Sequence, residues 1–404
     1  MNEQRLRDAL RNAPLDDAGA RARTLRVVRA AYAEREAARP ARRWAPALAL
    51  VACALAAVVV AASVGAPGDA VARWVRQVLG VGREDARPAL VRVPGGGRLA
   101  VSSERGGAWV VAADGARRRI GAYDGASWSP HGRFVVAWRG GELLAVEPGG
   151  RVRWSLARRG PISLARWSPV DGFRIAYRSG AALRVVNGDG TGDRALAGAI
   201  AQRVAPAWRP GRAHVLAFVD GRERVRVLAV DSGRELWRTA PVPGADELAW
   251  SPDGRRLLVA TPRRLVVRGR GGRVLARRPL PAGLVADDVA WSPRGDRVAV
   301  VRRGAARSDV VLADPAGTAR PRLLYSGPGR FGRVAWSPSG RRLLVPWPEA
   351  DQWLFLSTDG GRIAAVANIR RQFAAGPRRG VFPDAVEWCC ARTGIPRRAY
   401  SPGG

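Results

Sequence analysis

DELAWSPDGRRLLVA, residues 246–260, is the stretch whose reading decides the fold. An alternating apolar run ends in Trp250, and Ser251-Pro252-Asp253-Gly254 then has the composition of a tight turn. In such a turn Pro fixes φ at one corner and Gly accepts a positive φ at another. A run of β-forming residues follows at 256–260. The weight comes from recurrence. WSPHGRFVVAW starts at Trp128, WSPVDGFRIAY at Trp167, WRPGRAHVLAF at Trp208, WSPRGDRVAVV at Trp291 and WSPSGRRLLVP at Trp336, and a variant without Trp, PGGGRLAV, starts at Pro94. The prolines fall at 94, 130, 169, 210, 252, 293 and 338, about 40 residues apart, which is the length of a four-stranded propeller blade.

Within each unit a second β-rich run follows the turn, then a third, then a Gly- or Asp-rich hairpin leading to a fourth. Asp114-Gly115, Asp189-Gly190, Asp231-Ser232-Gly233 and Asp359-Gly360 are four such hairpins. The expectation is an all-β, seven-bladed propeller over residues 89–392, with six blades as the alternative count. Trp128, Trp167, Trp208, Trp250, Trp291, Trp336 and Trp388 should occupy equivalent positions as wedges between blades. The segment 384–388 carries a repeat-type Trp with no unit after it, so it should complete the first blade and close the ring.

These repeats resemble those of TolB-like propellers, relatives of the WD repeat in which a similar Ser-Pro-Asp-Gly turn joins the first and second strands. The resemblance covers about three-quarters of the chain and implies a protein-interaction platform of the bacterial envelope. It differs in the count, seven units instead of six, and in what precedes the repeats. Some peptidases carry an α/β-hydrolase domain after such a propeller; here 16 residues lie beyond Trp388, and no such domain is expected.

Residues 44–66, WAPALALVACALAAVVVAASVGA, contain no charge. As a helix this stretch spans about 30 Å of hydrocarbon. Arg26, Arg29, Arg35, Arg39, Arg42 and Arg43 crowd its N-terminal side, whereas Arg73, Arg76 and Arg83 on the other side are offset by Asp69, Glu84 and Asp85. The positive-inside rule then places residues 1–43 in the cytoplasm and the repeats outside the cytoplasmic membrane. Two processing readings compete with this anchor: a cleavable signal ending near Ala66, and a lipid-modified Cys53. Residues 1–43 read as a short helical segment, 67–88 as an amphipathic linker on the membrane, and 393–404 as a tail.

Catalytic motifs are missing from the sequence. His131 and His214 are its two histidines, and neither stands in a metal-binding or triad spacing. No cofactor, metal site or catalytic residue is expected, and the chain reads as a non-enzyme. Cys389 and Cys390 are adjacent and read either as two small buried thiols or as a vicinal disulfide. The formal charge is +34, and every basic residue is Arg, a pattern of codon bias that weakens a nucleic-acid reading. Arg98, Arg133, Arg174, Arg212, Arg255, Arg256, Arg297, Arg341 and Arg342 follow the turns and should form a basic face. Asp124, Asp246, Asp287 and Asp384, each four residues before a Trp, should form an acidic mouth at the other end. The function expected is a membrane-anchored, noncatalytic platform for a protein or an anionic envelope polymer. The alternative is a transmembrane regulator resembling an anti-sigma factor, although residues 1–43 lack the His and Cys of that family's cytoplasmic motif.

Overall fold

The computed structural model describes residues 89–390 apart from 318, 376–379 and 384. The segments at 1–43, 44–66, 67–88 and 393–404 lie outside the described residues. Among the described residues no helix is long and apolar enough to cross a membrane.

Seven four-stranded antiparallel sheets make seven blades. Blade 2 runs outward from its inner strand Gly125–Trp128 to Val152–Ala157, and blade 3 from Ile162–Trp167 to Arg194–Ala199. Blades 4 to 6 begin at Ala207–Trp208, Glu247–Trp250 and Val285–Trp291, and blade 7 at Ala335–Trp336. Blade 1 is assembled from both ends of the repeat region. Its inner strand, Ala385–Cys389, pairs antiparallel with Arg98–Ser103, with Leu99 opposite Trp388. The ring therefore closes through hydrogen bonds between segments nearly 290 residues apart, as the unpaired Trp388 predicts.

The pattern within a blade follows from its position. Second strands have neighbours on both faces and read as continuous apolar runs, as in Leu257–Ala260, all buried. Outer strands have a free edge and carry Arg, as in RRRIG at Arg117–Gly121 and VLARRP at Val274–Pro279. Charge on an edge opposes pairing with another chain.

The apolar core lies between blades. Six of the repeat Trp end an inner strand and Trp388 stands one residue before the end of its own; each packs against the blade before it. Trp128 meets Ala100 and Val110 of blade 1, Trp250 meets Val215 and Ala217 of blade 4, and Trp291 meets Leu258 and Val267 of blade 5. Six of the seven are buried, while Trp388 is half-buried with Phe355 of blade 7 edge-on to its ring at 5.7 Å. The indole N–H adds a directional link. Trp208 Nε1 donates to Arg166 O at 2.9 Å, Trp291 to Ala249 O at 2.8 Å and Trp336 to Ala290 O at 3.1 Å. In each case the acceptor is the residue just before the preceding blade's Trp. Adjacent turns also touch: a Cβ on Gly254, at φ 65°, would lie 2.2 Å from Pro210 O of blade 4. That turn accepts only Gly, for backbone conformation and for space.

One element has no counterpart in the repeats. The connection from blade 7 to Ala385 holds a one-turn helix, Ile369–Gln372, and the buried side chains Ile369, Phe373 and Phe382. Phe373 lies 5.1 Å from the ring of Trp353 in blade 7 and 5.7 Å from Trp109 in blade 1. It fills the seam at which the ring closes.

The indole bonds give a graded expectation. Trp291→Phe should destabilise the chain by about 1 kcal/mol more than Trp250→Phe in urea titrations. The two lose similar apolar area, but Trp291 leaves Ala249 O without its donor, whereas Trp250 Nε1 has no partner.

Candidate functional site

The turn face is built by a repeated device. In blade 5, Gly254 N–H donates to Ser251 O at 2.8 Å, Ser251 N–H to Arg256 O at 2.8 Å, and Arg255 N–H to the Asp253 carboxylate at 3.0 Å. In blade 5 this turn points Arg255 outward and Arg256 inward. Arg133, Arg212, Arg255, Arg297 and Arg341 are exposed. Among the described residues only Arg297 of these five forms an ion pair, with its neighbour Asp296 at 3.6 Å.

The remaining four arginines of the expected basic face turn toward other groups. The Arg98 guanidinium lies 4.9 Å from the Trp128 ring centre and Nη2 donates to Gly132 O at 2.5 Å. Arg256 repeats this on blade 6, over Trp291 at 4.9 Å and donating to Gly295 O at 2.8 Å. Arg342 is half-buried against Gly95 of the next turn. Arg174 pairs with Asp231 at 3.6 Å, which also holds His214 Nδ1 at 2.9 Å. These side chains fasten the structure, and a stacked guanidinium is worth about 0.5–2 kcal/mol.

The predicted acids occupy separate local roles. Asp124 accepts from Gly140 N–H at 3.0 Å, Asp287 pairs with Arg303 at 2.7 Å, Asp246 is half-buried, and Asp384 lies outside the described residues. The charges that reach the axis stand further along the chain, three residues before the Trp for Glu247, Asp288 and Arg333 and one before it for Arg166 and Glu387. Glu247 of blade 5 comes within 3.6 Å of Arg333 of blade 7, and Arg166 of blade 3 within 3.6 Å of Glu387 of blade 1. Pairs that skip a blade can meet only near the axis. Asp288 of blade 6 accepts the Val334 N–H of blade 7 at 2.8 Å, and Glu387 accepts the Trp128 N–H of blade 2 at 2.9 Å. The channel is thus crossed by ion pairs and hydrogen bonds that join distant blades.

Two of these carboxyls hold protons unusually tightly. Burial pushes Glu247 up to about 7 against the opposing pull of Arg333, with the nearby Asp288 adding to the rise. Burial likewise pushes Asp288 up to about 6, again opposed by Arg333. The Glu247 side chain keeps 20% of its surface accessible, and the remaining four-fifths is shielded from water.

No family model matches the chain, and no curated protein matches it. Among solved structures, a functionally unknown protein from Desulfotomaculum acetoxidans is similar at 13% identity and a TM-score of 0.52, over 67% of this chain and 99% of its own. Hydrazine synthase from Kuenenia stuttgartiensis is similar at 16% identity and a TM-score of 0.49, over 58% of this chain and 76% of its own. The first likeness concerns the fold alone, and the second carries no argument about this chain.

The raised carboxyls predict an inverted pH response. Both groups bind a proton more tightly folded than unfolded, so their contribution is complete below the ordinary carboxylate range and is lost as pH rises through about 6 and 7. Thermal unfolding of the full chain should move to lower temperature between about pH 5 and about pH 8. Glu247→Gln, which cannot ionise, should flatten that slope; an unchanged slope would remove Glu247 as its source.

Proposed function

We propose that this chain is a noncatalytic binding platform of the TolB-like kind. It is anchored in the cytoplasmic membrane by residues 44–66, with 1–43 inside and the propeller outside, and its turn face receives an anionic envelope polymer. One observation carries the reading: Arg133, Arg212, Arg255 and Arg341 each follow a turn glycine, Arg297 stands one residue further on in its own turn, and all five are exposed on the turn face. Among the described residues, four of the five have no ion-pair partner. Five of the seven blades carry one such charge, which sets them on an arc, a geometry suited to a long flexible polyanion. Attraction of that kind is summed over many weak contacts. The noncatalytic reading rests on the use of charge at the axis. Glu247, Arg333, Arg166 and Glu387 are engaged with one another across the channel, which leaves them as ties between blades.

The test uses the full chain in a neutral detergent and fluorescent polyphosphate as the probe. Reversal of Arg133, Arg212, Arg255 and Arg341 to Glu should weaken binding about tenfold or more, and about 0.5 M salt should abolish it through screening. The matched control reverses Arg105, Arg222, Arg263 and Arg264, which are exposed in, or in the case of Arg264 directly after, the loops between second and third strands on the opposite face. It removes the same net charge and should change binding far less. Equal losses from both sets would mean undirected charge and would overturn the proposed face.

A further inference from the structure

Cys389 ends the inner strand of blade 1, opposite Arg98, and Cys390 follows in the left-handed region at φ 55°. Their sulfurs are bonded to one another. The pair does not lie in a sealed core: both residues are half-buried, against the first turn of blade 2. Cys389 Sγ stands 4.0 Å from Ser129 O. A Cβ built on Gly132 of the same turn would lie 2.5 Å from Cys390 Sγ, 3.2 Å from Cys389 Sγ and 2.4 Å from Arg98 Nη2. The two sulfurs and a guanidinium thus converge beneath one glycine, with Arg98 Nη2 and the Cys390 sulfur within about 5 Å of each other.

Three features of this corner point to reactivity. The sulfurs are adjacent in the chain, so either can resolve a bond formed by the other. Both residues are half-buried and not sealed in the core, and an exchange partner needs such access. A fixed cation stands beside them, and a cation at this range favours thiolate, the attacking form, by direct attraction. Arg98 Nε is buried and has no partner, so part of that guanidinium is not engaged elsewhere.

We propose that Cys389 and Cys390 form a reversible thiol–disulfide exchange site whose reactant is a low-molecular-weight disulfide, RSSR. One cysteine thiolate attacks a sulfur of RSSR; a mixed disulfide forms, the S–S bond of the reactant breaks, and RS⁻ leaves and takes a proton. The second cysteine thiolate then attacks the protein sulfur of the mixed disulfide. The Cys389–Cys390 bond forms and a second RS⁻ leaves. In sum two protein thiols are oxidised by two electrons, and RSSR is reduced to two RSH. The reverse reaction uses two RSH. The site lies on the strand that closes the ring, between blade 1 and blade 2. It is independent of the turn-face arginines and does not depend on their partner.

The experiment equilibrates the full chain with glutathione and glutathione disulfide over a series of ratios, traps free thiols with a maleimide and cleaves with trypsin. The peptide 380–392 carries both cysteines, and Cys53 on another peptide serves as the control. The expected result is a single transition from doubly labelled to internally bonded peptide that depends on the square of glutathione over its disulfide, with the Cys53 peptide not following it. Three results would overturn the proposal: double labelling at every ratio, no labelling at every ratio, or a stable glutathione adduct as the oxidised product. Rates of oxidation test the cation. Arg98→Met should slow the reaction severalfold and Arg98→Lys should restore most of it; equal rates in all three proteins would overturn the role of Arg98.

Discussion

The structure depends on a tryptophan that belongs to one blade and packs in the one before it. A single blade has two apolar faces and cannot bury either by itself. The Trp at or next to the end of each inner strand covers the preceding blade, from Trp128 on blade 1 to Trp388 on blade 7, so every unit needs the next until the circle is complete. Burying a large apolar side chain contributes about 1.5–3 kcal/mol, and the ring repeats that gain seven times. It does so only if the last blade can also cover the first. Ala385–Cys389 meets that condition by pairing with Arg98–Ser103, and the aromatic insertion around Phe373 fills the remaining gap.

The same constraint divides the arginines. A turn that sends the Trp into the preceding blade leaves two positions behind it, one facing water and one facing the next blade. Arg255 and Arg256 are consecutive, yet Arg255 is exposed and Arg256 lies over Trp291. A buried guanidinium needs a compensating partner, and here the indole face and the Gly carbonyl of the neighbouring turn supply it. A high arginine content therefore overstates the charge that is free to recruit a partner.

The blades, their hairpins and the closing strand could be read from the sequence because the signal is local and repeated. Seven copies of one spacing overrule any irregular copy, and Trp388 without a following unit points to closure. What escaped that reading is set by single residues. Predicting Asp246 and Asp287 at the mouth misses the axial acids by one position, since Glu247 and Asp288 are the adjacent residues, and neighbouring residues of a strand point to opposite sides. An irregularity of register between Ala286 and Asp288 hides the alternation further. The helix at Ile369–Gln372 occurs once and has no repeat to reveal it. Its signal was length: the gap between Val366 and Ala385 is far longer than any other connection between blades.

Ring closure is the claim on which the remainder stands, and hydrogen exchange at Ala385–Cys389 tests it most directly. That strand is an end of the repeat region and has a single strand neighbour, so its protection reports closure and little else. Amides of this segment that face Arg98–Ser103 should exchange as slowly as those of the inner strand Glu247–Trp250 when the full chain is followed by mass spectrometry. Exchange as fast as an open loop, with Glu247–Trp250 still protected, would mean that the ring is open and the account is wrong.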